Sequence, residues 1–298
     1  MTIEQSGRYD IIYEIFDPIC GLTVLDVSRE TQMPKRGAGA QTVLRAATVL
    51  RLVGRLGAAR FSDLARESGL PNPTLRRFLV SLIEAELVHH DQENARYRLG
   101  SEAYVLGQLA KPEFSFHDLA RDSLARLAQL SGDCAFLSAL DGLSTVCLHR
   151  EEGQYPIRAH VLNVGDRHPL GLGAAALAIL SLLPAAEVED ILRANAESIN
   201  KAHADIDMPT LSQLVTDARS AGVALNPGLV FPGSWAIAAA IRAPSGEILG
   251  ALTIAAIESR MTTERQQELS KPLLDEVRRI EKLLAKFGSG GLTLGKKG

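Results

Sequence analysis

Four arginines in two short stretches carry the side chains best suited to binding an anionic partner. Arg76 and Arg77 follow two prolines in SGLPNPTLRRFLVSL, while Arg96 and Arg98 flank Tyr97 in RYRL. A guanidinium group binds phosphate oxygens, and in a DNA major groove it can bind guanine through two hydrogen bonds. Because paired arginines on an exposed helix are often merely solvated, the surrounding elements must decide between these alternatives.

Two predicted helices precede the first arginine pair. Apolar residues recur at three- and four-residue spacing from Thr42 to about Leu56, which is typical of an amphipathic helix, and Gly57 then stops it. A second, short helix is predicted after Ser62, taken as its N-cap, and ends at Gly69. The three- to four-residue turn that follows is typical of a helix-turn-helix.

The third predicted helix has Asn72 as its N-cap and Pro73 as its first residue, where a proline loses no helical hydrogen bond. LVHHD and RYRL then form a predicted hairpin, called the wing below. Together these elements predict a winged helix-turn-helix that contacts DNA. The predicted DNA-binding residues are Asn72, Pro73, Thr74, Arg76, Arg77, Arg96 and Arg98.

The rest of the chain predicts an α+β domain with an antiparallel sheet flanked by helices. CAFLSAL and LSTVCLHR surround an Asp-Gly pair that favours a tight hairpin turn. Further helices are predicted at about 173–196, 210–221 and 263–287, and strands at 236–243 and 247–256. The predicted divisions are a flexible arm 1–36, a winged helix-turn-helix 37–100, a linker helix 101–115, the second domain 116–287 and a flexible tail 288–298.

Composition agrees with two globular domains. The chain has 298 residues, 46% of them hydrophobic, and a net charge of −3, but residues 37–100 hold nine basic and six acidic side chains. No membrane-length apolar run or secretory signal is present, so we expect a cytoplasmic protein without a membrane partner. The scattered Cys20, Cys134 and Cys147 predict neither disulfides nor a metal site, and no cofactor is predicted.

One motif offers a different function. GLGAAA, at Gly171–Ala176, matches the glycine pattern of a dinucleotide site, with Glu189 at the distance of a ribose-binding acid. The preceding NVGDRHPL is too polar for the buried strand that such a site requires. The alternative is therefore a metabolite-binding or enzymatic protein, nucleotide-binding at Gly171–Ala176, whose helix-turn-helix contacts other proteins. A helix beginning near Gly173 would instead favour a bound carboxylate.

The order of several motifs resembles that of the IclR-type bacterial transcriptional regulators. FSDLARESGLPNPTLRRFLVSLIEAELV and YRLG carry the resemblance in the first domain, and LDG, VGDRHPL, AGVALNPG and IESRMTTERQQEL carry it in the second. The resemblance covers Thr42 to Leu284. It implies a GAF-like effector-binding domain, a homodimer or tetramer and double-stranded operator DNA as partner. No GxSxG, HExxH or Walker-type motif and no carboxylate pair stands out, so no catalytic residue is predicted.

The resemblance also implies an effector pocket. Positions that line it in the family fall on His160, His168, Ala174, Ala175, Asn226, Ala236, Thr253 and Ala255. Gly173 joins them at the predicted helix start, and Trp235 as a stacking surface for an aromatic ligand. Asn226, Ala236 and Ala255 replace an acid, a cysteine and a serine of the family, and Asn72-Pro73 replaces a Lys-Ser pair. We therefore expect a repressor or activator, not an enzyme, controlled by a small anionic or aromatic metabolite.

Overall fold

A computed structural model describes residues 38–110, 116–157, 162–202 and 206–288. The arm predicted at 1–36 and nearly all of the tail predicted at 288–298 lie outside the described residues. Among the helices that are described, none is both long and apolar enough to cross a membrane.

The first part of the described chain is a small α/β unit. In chain order its elements are α1 (Ala38–Leu56), β1 (Ala59–Arg60), α2 (Phe61–Ser68), α3 (Asn72–Glu84), β2 (Val88–Asp91) and β3 (Arg96–Leu99). The predicted wing is the β2–β3 hairpin, and β1 adds a third antiparallel strand in the order β1-β3-β2. The sequence analysis missed β1 because two residues are too short to show a strand period.

Local details of the helix-turn-helix differ from the predicted ones. Helix α2 begins one residue before Ser62, and the carboxylate of Asp63 accepts a hydrogen bond from the Arg60 backbone N–H at 3.2 Å, so Ser62 is not the N-cap. Pro71 is the N-cap of α3 and Asn72 its first residue, so the predictions of Asn72 as N-cap and Pro73 as first residue were each wrong by one position. The turn itself contains Gly69 in the left-handed conformation, at φ 62°.

The buried face of α3 is the one that the sequence indicates. Leu75, Phe78, Leu79 and Leu82 are buried and pack with residues of α1, α2 and β2 in one small core. This packing fixes the rotation of α3 about its axis, so the side chains between the buried positions point outward. Orientation of the arginine pair therefore follows from the apolar pattern.

After α3 and the wing, the described chain continues with a helix and then with a larger α+β domain. Its elements are α4 (Ser101–Leu109), α5 (Phe116–Ser131), β4 (Cys134–Asp141), β5 (Ser144–Glu151), β6 (Arg167–Pro169), α6 (Ala174–Leu180), α7 (Ala185–Ala202), α8 (Met208–Ala221), β7 (Ala224–Phe231), β8 (Ser234–Arg242), β9 (Ile248–Ile257), a 3-10 helix (Glu258–Arg260) and α9 (Thr263–Gly288).

The six strands of this domain form one sheet in the order β6-β5-β4-β9-β8-β7, and every neighbouring pair is antiparallel. Alternate residues of each strand point to opposite faces. One face packs with α6, α7 and α8 and is called the cavity face below; the other packs with α5 and α9. The predicted α+β class with a helix-flanked antiparallel sheet is confirmed.

One predicted helix of this domain needs correction, and two strands were missed. The helix predicted at 173–196 is two helices, α6 and α7, separated by a segment that contains Pro184. Strands β6 and β7 were not predicted, because both contain a proline, and proline is tolerated in a sheet chiefly on edge strands, which both of these are. Each missed strand carries residues that line the cavity described below.

Candidate functional site

Helix α3 presents an exposed surface opposite its buried face. Asn72, Pro73, Arg76 and Arg77 are exposed and Thr74 is half-buried. The guanidinium carbon of Arg76 lies 4.8 Å from the centre of the Phe61 ring, a cation–π contact that holds the side chain against the start of α2. The Arg77 side chain makes no hydrogen bond or ion pair with any described residue. The first turns of α3 thus present two guanidinium groups, one of them oriented by an aromatic ring.

The wing arginines are more constrained than those of α3. Arg96 donates a hydrogen bond to the backbone oxygen of Ala58 at 2.7 Å, and Arg98 forms an ion pair with Asp91 at 3.0 Å. Asp91 also accepts hydrogen bonds from Asn94, which lower the pKa of its carboxyl group and keep it ionised. Arg98 is more than half exposed, at 52% of its side chain. Arg98 is therefore better placed than Arg96 to exchange its internal partner for a phosphate.

A cavity lies between the cavity face of the large sheet and the start of α6. It is narrow and comprises about 470 Å³ of space between atoms, part of it open to solvent. Its lining residues are Phe136, Ser138, Thr145, Leu162, His168, Leu172, Gly173, Ala174, Ala175, Asn226, Val230, Ser234, Ala236, Thr253 and Ala255.

The cavity exists because the residues around it are small. Ala236 on β8 pairs in register with Asn226 on β7 and with Ala255 on β9, so two of these three adjacent positions end at Cβ. Across from them, α6 opens with Ala174 and Ala175, preceded by Gly173 at φ 89°. A larger side chain at any of these positions would occupy the space.

His168 is the one titratable side chain among the described lining residues, which include no Asp, Glu, Lys or Arg. It lies on β6 opposite Thr145 of β5, whose hydroxyl donates to the His168 backbone oxygen at 3.5 Å. A Cβ on Gly173 would lie 3.5 Å from its Nδ1 atom, which places the ring beside the start of α6. The polar part of the cavity is thus built from neutral hydrogen-bonding groups and one imidazole.

The structure brings together most of the predicted pocket residues. His168, Gly173, Ala174, Ala175, Asn226, Ala236, Thr253 and Ala255 all line the cavity. His160 lies outside the described residues. Trp235 was predicted wrongly as a stacking surface: it follows the strand alternation to the opposite face of the sheet and packs with the α5–α9 core.

Several lining residues were missed. Phe136 and Ser138 lie two apart on β4, so the predicted hairpin together with strand alternation could have indicated them. Leu162, Leu172, Val230 and Ser234 lie in loops or at strand ends, where the sequence has no periodic signal.

The dinucleotide alternative does not fit the geometry around Gly171. The strand before it, β6, has three residues and is antiparallel to β5, whereas a dinucleotide turn follows a parallel strand. A Cβ on Gly171 would lie 2.7 Å from a methyl carbon of Leu192 and 2.9 Å from one of Ile199. This glycine is therefore required by close packing against α7.

The side chain of Cys147, on β5, is buried. Burial raises the pKa of its thiol to about 12, so the thiol is neutral near pH 7. His149, two residues further on, has its Nε2 atom 3.3 Å from a carboxylate oxygen of Glu151.

An arginine-bearing helix-turn-helix with a wing, followed by an α+β domain with an internal cavity, defines a class: regulators that bind DNA and a small molecule. Two family models match the chain, the IclR helix-turn-helix domain at residues 42–92 and the bacterial transcriptional regulator IclR C-terminal domain at residues 114–282. The chain belongs to the IclR family of bacterial transcriptional regulators. The family consists of DNA-binding regulators with an effector-binding C-terminal domain rather than enzymes.

Curated relatives agree with this assignment. The chain is 25% identical to the HTH-type transcriptional repressor AllR of Klebsiella pneumoniae, over 78% of this chain and 86% of AllR. It is 26% identical to the HTH-type transcriptional regulator KipR of Bacillus subtilis, over 81% of this chain and 96% of KipR.

Solved structures share the fold. An IclR regulator from Alicyclobacillus acidocaldarius superposes with a TM-score of 0.65 at 22% identity, covering 82% of this chain and 98% of that one. An IclR homologue from Microbacterium hydrocarbonoxydans, solved in complex with 4-hydroxybenzoate, gives a TM-score of 0.64 at 20% identity and covers 82% of this chain and 99% of that one.

Proposed function

We propose that this regulator binds double-stranded operator DNA through the exposed surface of α3 and the wing, and that a small metabolite in the C-terminal cavity changes that binding. The domain divisions proposed for these roles are 37–100 for DNA binding, 101–115 for the linker and 116–287 for the effector. Binding of the metabolite would alter the spacing or orientation of two winged helices on a palindromic site. The observation that carries this proposal is the exposed arginine pair on a helix whose opposite face is fully packed.

In this proposal, the residues at the start of α3 and those of the wing contact DNA in different ways. The arginines on α3 are placed in its first turns, where a helix in the major groove reaches base edges and phosphates. The N-terminal end of α3 also carries Asn72, Pro73 and Thr74, which would contact the sugar-phosphate backbone of the DNA. Arg98, with a surface ion pair to release, would add a phosphate contact from the wing, and Arg96 would mainly hold the wing in place.

The cavity supports a small aromatic or anionic effector. Its walls are mainly alanine, leucine, valine and phenylalanine side chains, which suit an apolar body, and His168 with the neutral polar groups suits one polar end. The complex of the Microbacterium homologue with 4-hydroxybenzoate supports a ligand of similar size.

A homodimer or tetramer is part of the proposal. Helix α4 has no buried residue, and its apolar side chains are unusually accessible: Tyr104 is 69% and Leu109 71% exposed. Contiguous exposed apolar side chains of this kind mark protein interaction sites. We expect the substitution pair Tyr104→Glu and Leu109→Glu to lower the assembly state without unfolding the protein, as measured by sedimentation velocity and circular dichroism. An unchanged sedimentation coefficient would remove α4 from the interface.

Salt dependence tests the DNA-binding role directly. A duplex selected by the wild-type protein from a random-sequence library is expected to bind less tightly as salt rises, with a slope in log K against log salt of about −0.9 for each phosphate neutralised. Fluorescence anisotropy over a range of salt concentrations measures this slope. Failure to select any duplex, or an affinity insensitive to salt, would favour the alternative in which the helix-turn-helix contacts protein.

A further inference from the structure

Thr253 carries a buried hydroxyl group whose hydrogen-bonding capacity is unused within the described protein. The residue is 5% exposed, lines the cavity on β9, and its Oγ1 atom has no hydrogen-bond partner among the described residues. Buried hydroxyl groups in proteins are nearly always hydrogen-bonded, because an unpaired one loses its contact with water without compensation. A group kept in this state beside a cavity is available to a ligand.

Asn226 provides a second available group. Its Oδ1 atom accepts a hydrogen bond from the backbone N–H of Leu229 at 3.1 Å. A backbone N–H can only donate, so the atom that faces it must be the amide oxygen and not the amide nitrogen. This fixes the orientation of the Asn226 amide and leaves its Nδ2 hydrogens as donors. Asn226 is 4% exposed and lines the same cavity, and Nδ2 donates to no described residue.

These two side chains occupy the same face of the sheet. Asn226 pairs with Ala236 on β8, and Thr253 pairs with Ala238 on the same strand, two residues further on. The side chains between them therefore end at Cβ, which leaves the space above β8 open. A small ligand above Ala236 and Ala238 would therefore lie between the two donors.

The charge of the lining restricts the ligand further. Among the described lining residues, no arginine or lysine could neutralise a second negative charge and no carboxylate could hold a cation. Burying an unpaired charge is far more costly than burying a paired or neutral group. The narrow, alanine-rich space suits a compact body.

Building on the proposed function, we propose that the effector is a compact, mainly apolar molecule with at most one negative charge, whose single polar end accepts hydrogen bonds from Asn226 and Thr253. Carbonyl and carboxylate groups meet this description. Phosphates and dicarboxylates do not, because they bury negative charge beyond the one polar end that Asn226 and Thr253 would bind. Amines do not, because the described lining has no carboxylate to pair with a cation.

A panel of four probes, each built on one benzene ring, tests the ligand class on the full chain. Benzoate and benzamide end in an acceptor, terephthalate carries a second carboxylate, and benzylamine carries a cation. By isothermal titration calorimetry, at least one of the first two is expected to bind about tenfold or more tightly than both of the others. Equal or tighter binding of terephthalate or benzylamine, or no binding of benzoate and benzamide at millimolar concentration, would overturn the ligand class.

The substitution Thr253→Val, which keeps the side-chain shape, tests the role of the hydroxyl. The unliganded variant is expected to melt at a higher temperature than wild type, because the unpaired hydroxyl is gone, and its affinity for the bound probe is expected to fall about tenfold. Thr145→Val is the matched control: its hydroxyl lines the same cavity but already has a partner, so its removal should not raise the melting temperature. A Thr253→Val variant with unchanged melting temperature and unchanged affinity contradicts the proposal.

Binding of the selected duplex is measured on the same protein samples. If the duplex binds but the panel fails, the ligand class is wrong and the DNA-binding function stands. If the duplex does not bind although benzoate or benzamide does, the DNA-binding function fails while the ligand class stands.

Discussion

Replacement of both Arg76 and Arg77 by alanine is expected to weaken binding of the selected duplex by at least about 30-fold. A guanidinium group that contacts a base through two hydrogen bonds contributes about 1–3 kcal/mol, so the two together would contribute about 2–6 kcal/mol. Both side chains are exposed and lie off the buried face of α3, so the fold should be retained. Fluorescence anisotropy at fixed salt measures the affinity, and circular dichroism checks the fold.

The matched control for this variant removes the same charge from neighbouring helices. Arg55 and Arg66 both form ion pairs with Glu67, at 3.7 Å and 3.5 Å. Their replacement by alanine should weaken binding only slightly, through the loss of long-range attraction. If both double variants lose affinity equally, α3 is not the recognition helix and the effect is one of net charge. If only the α3 variant loses affinity, the single variants Arg76→Ala and Arg77→Ala show whether Arg76, which lies against Phe61, contributes more to DNA binding than Arg77.

Arg260→Met is expected to destabilise the effector domain by about 3–5 kcal/mol, because it leaves the carboxylate of Asp133 buried without its partner. Arg260 donates to Asp133 from Nε at 2.9 Å and from Nη2 at 3.0 Å, and the Asp133 side chain is only 2% exposed. The hydrogen bond with Asp133 raises the pKa of the arginine, which keeps its charge. Its guanidinium carbon also lies 3.8 Å from the centre of the Tyr155 ring.

Urea denaturation measures this loss, with Arg193→Met as the control. Arg193 pairs with Asp190 on the surface of α7, where both side chains are more than 60% exposed, so its replacement should cost at most about 1 kcal/mol. A further Asp133→Asn substitution in the Arg260→Met background should restore part of the stability, because it removes the unpaired charge. If Arg260→Met and Arg193→Met lower the free energy of unfolding equally, the buried ion pair contributes no more to stability than the surface pair.

The position of this ion pair links it to the cavity. Asp133 immediately precedes β4, whose residues Phe136 and Ser138 form part of the cavity wall. Loss of the pair is therefore expected to affect ligand binding as well as stability. Binding of the duplex at temperatures where the variant remains folded should be retained.

The sequence by itself determined the elements whose signals are local. Apolar spacing and Gly69 were enough to predict the helix-turn-helix, and the same spacing left Arg76 and Arg77 on the exposed side of α3. The Asp141–Gly142 pair was enough to predict the β4–β5 hairpin. These predictions were reliable because helix rotation and tight turns depend on residues only a few positions apart.

Only the tertiary structure decided which of the predicted side chains are available to bind DNA or a ligand. Arg96 is bonded to Ala58, thirty-eight positions earlier in the chain, a contact that no spacing rule indicates. Strand alternation turned Trp235 away from the cavity once β7, β8 and β9 were aligned in register. The unpaired hydroxyl of Thr253 and the cavity itself arise where alanines on separate strands meet the start of α6. Whether a cavity forms, and whether a polar group lacks a hydrogen-bond partner, depends on side chains that are distant in sequence. Both features therefore exist only once packing brings those side chains together.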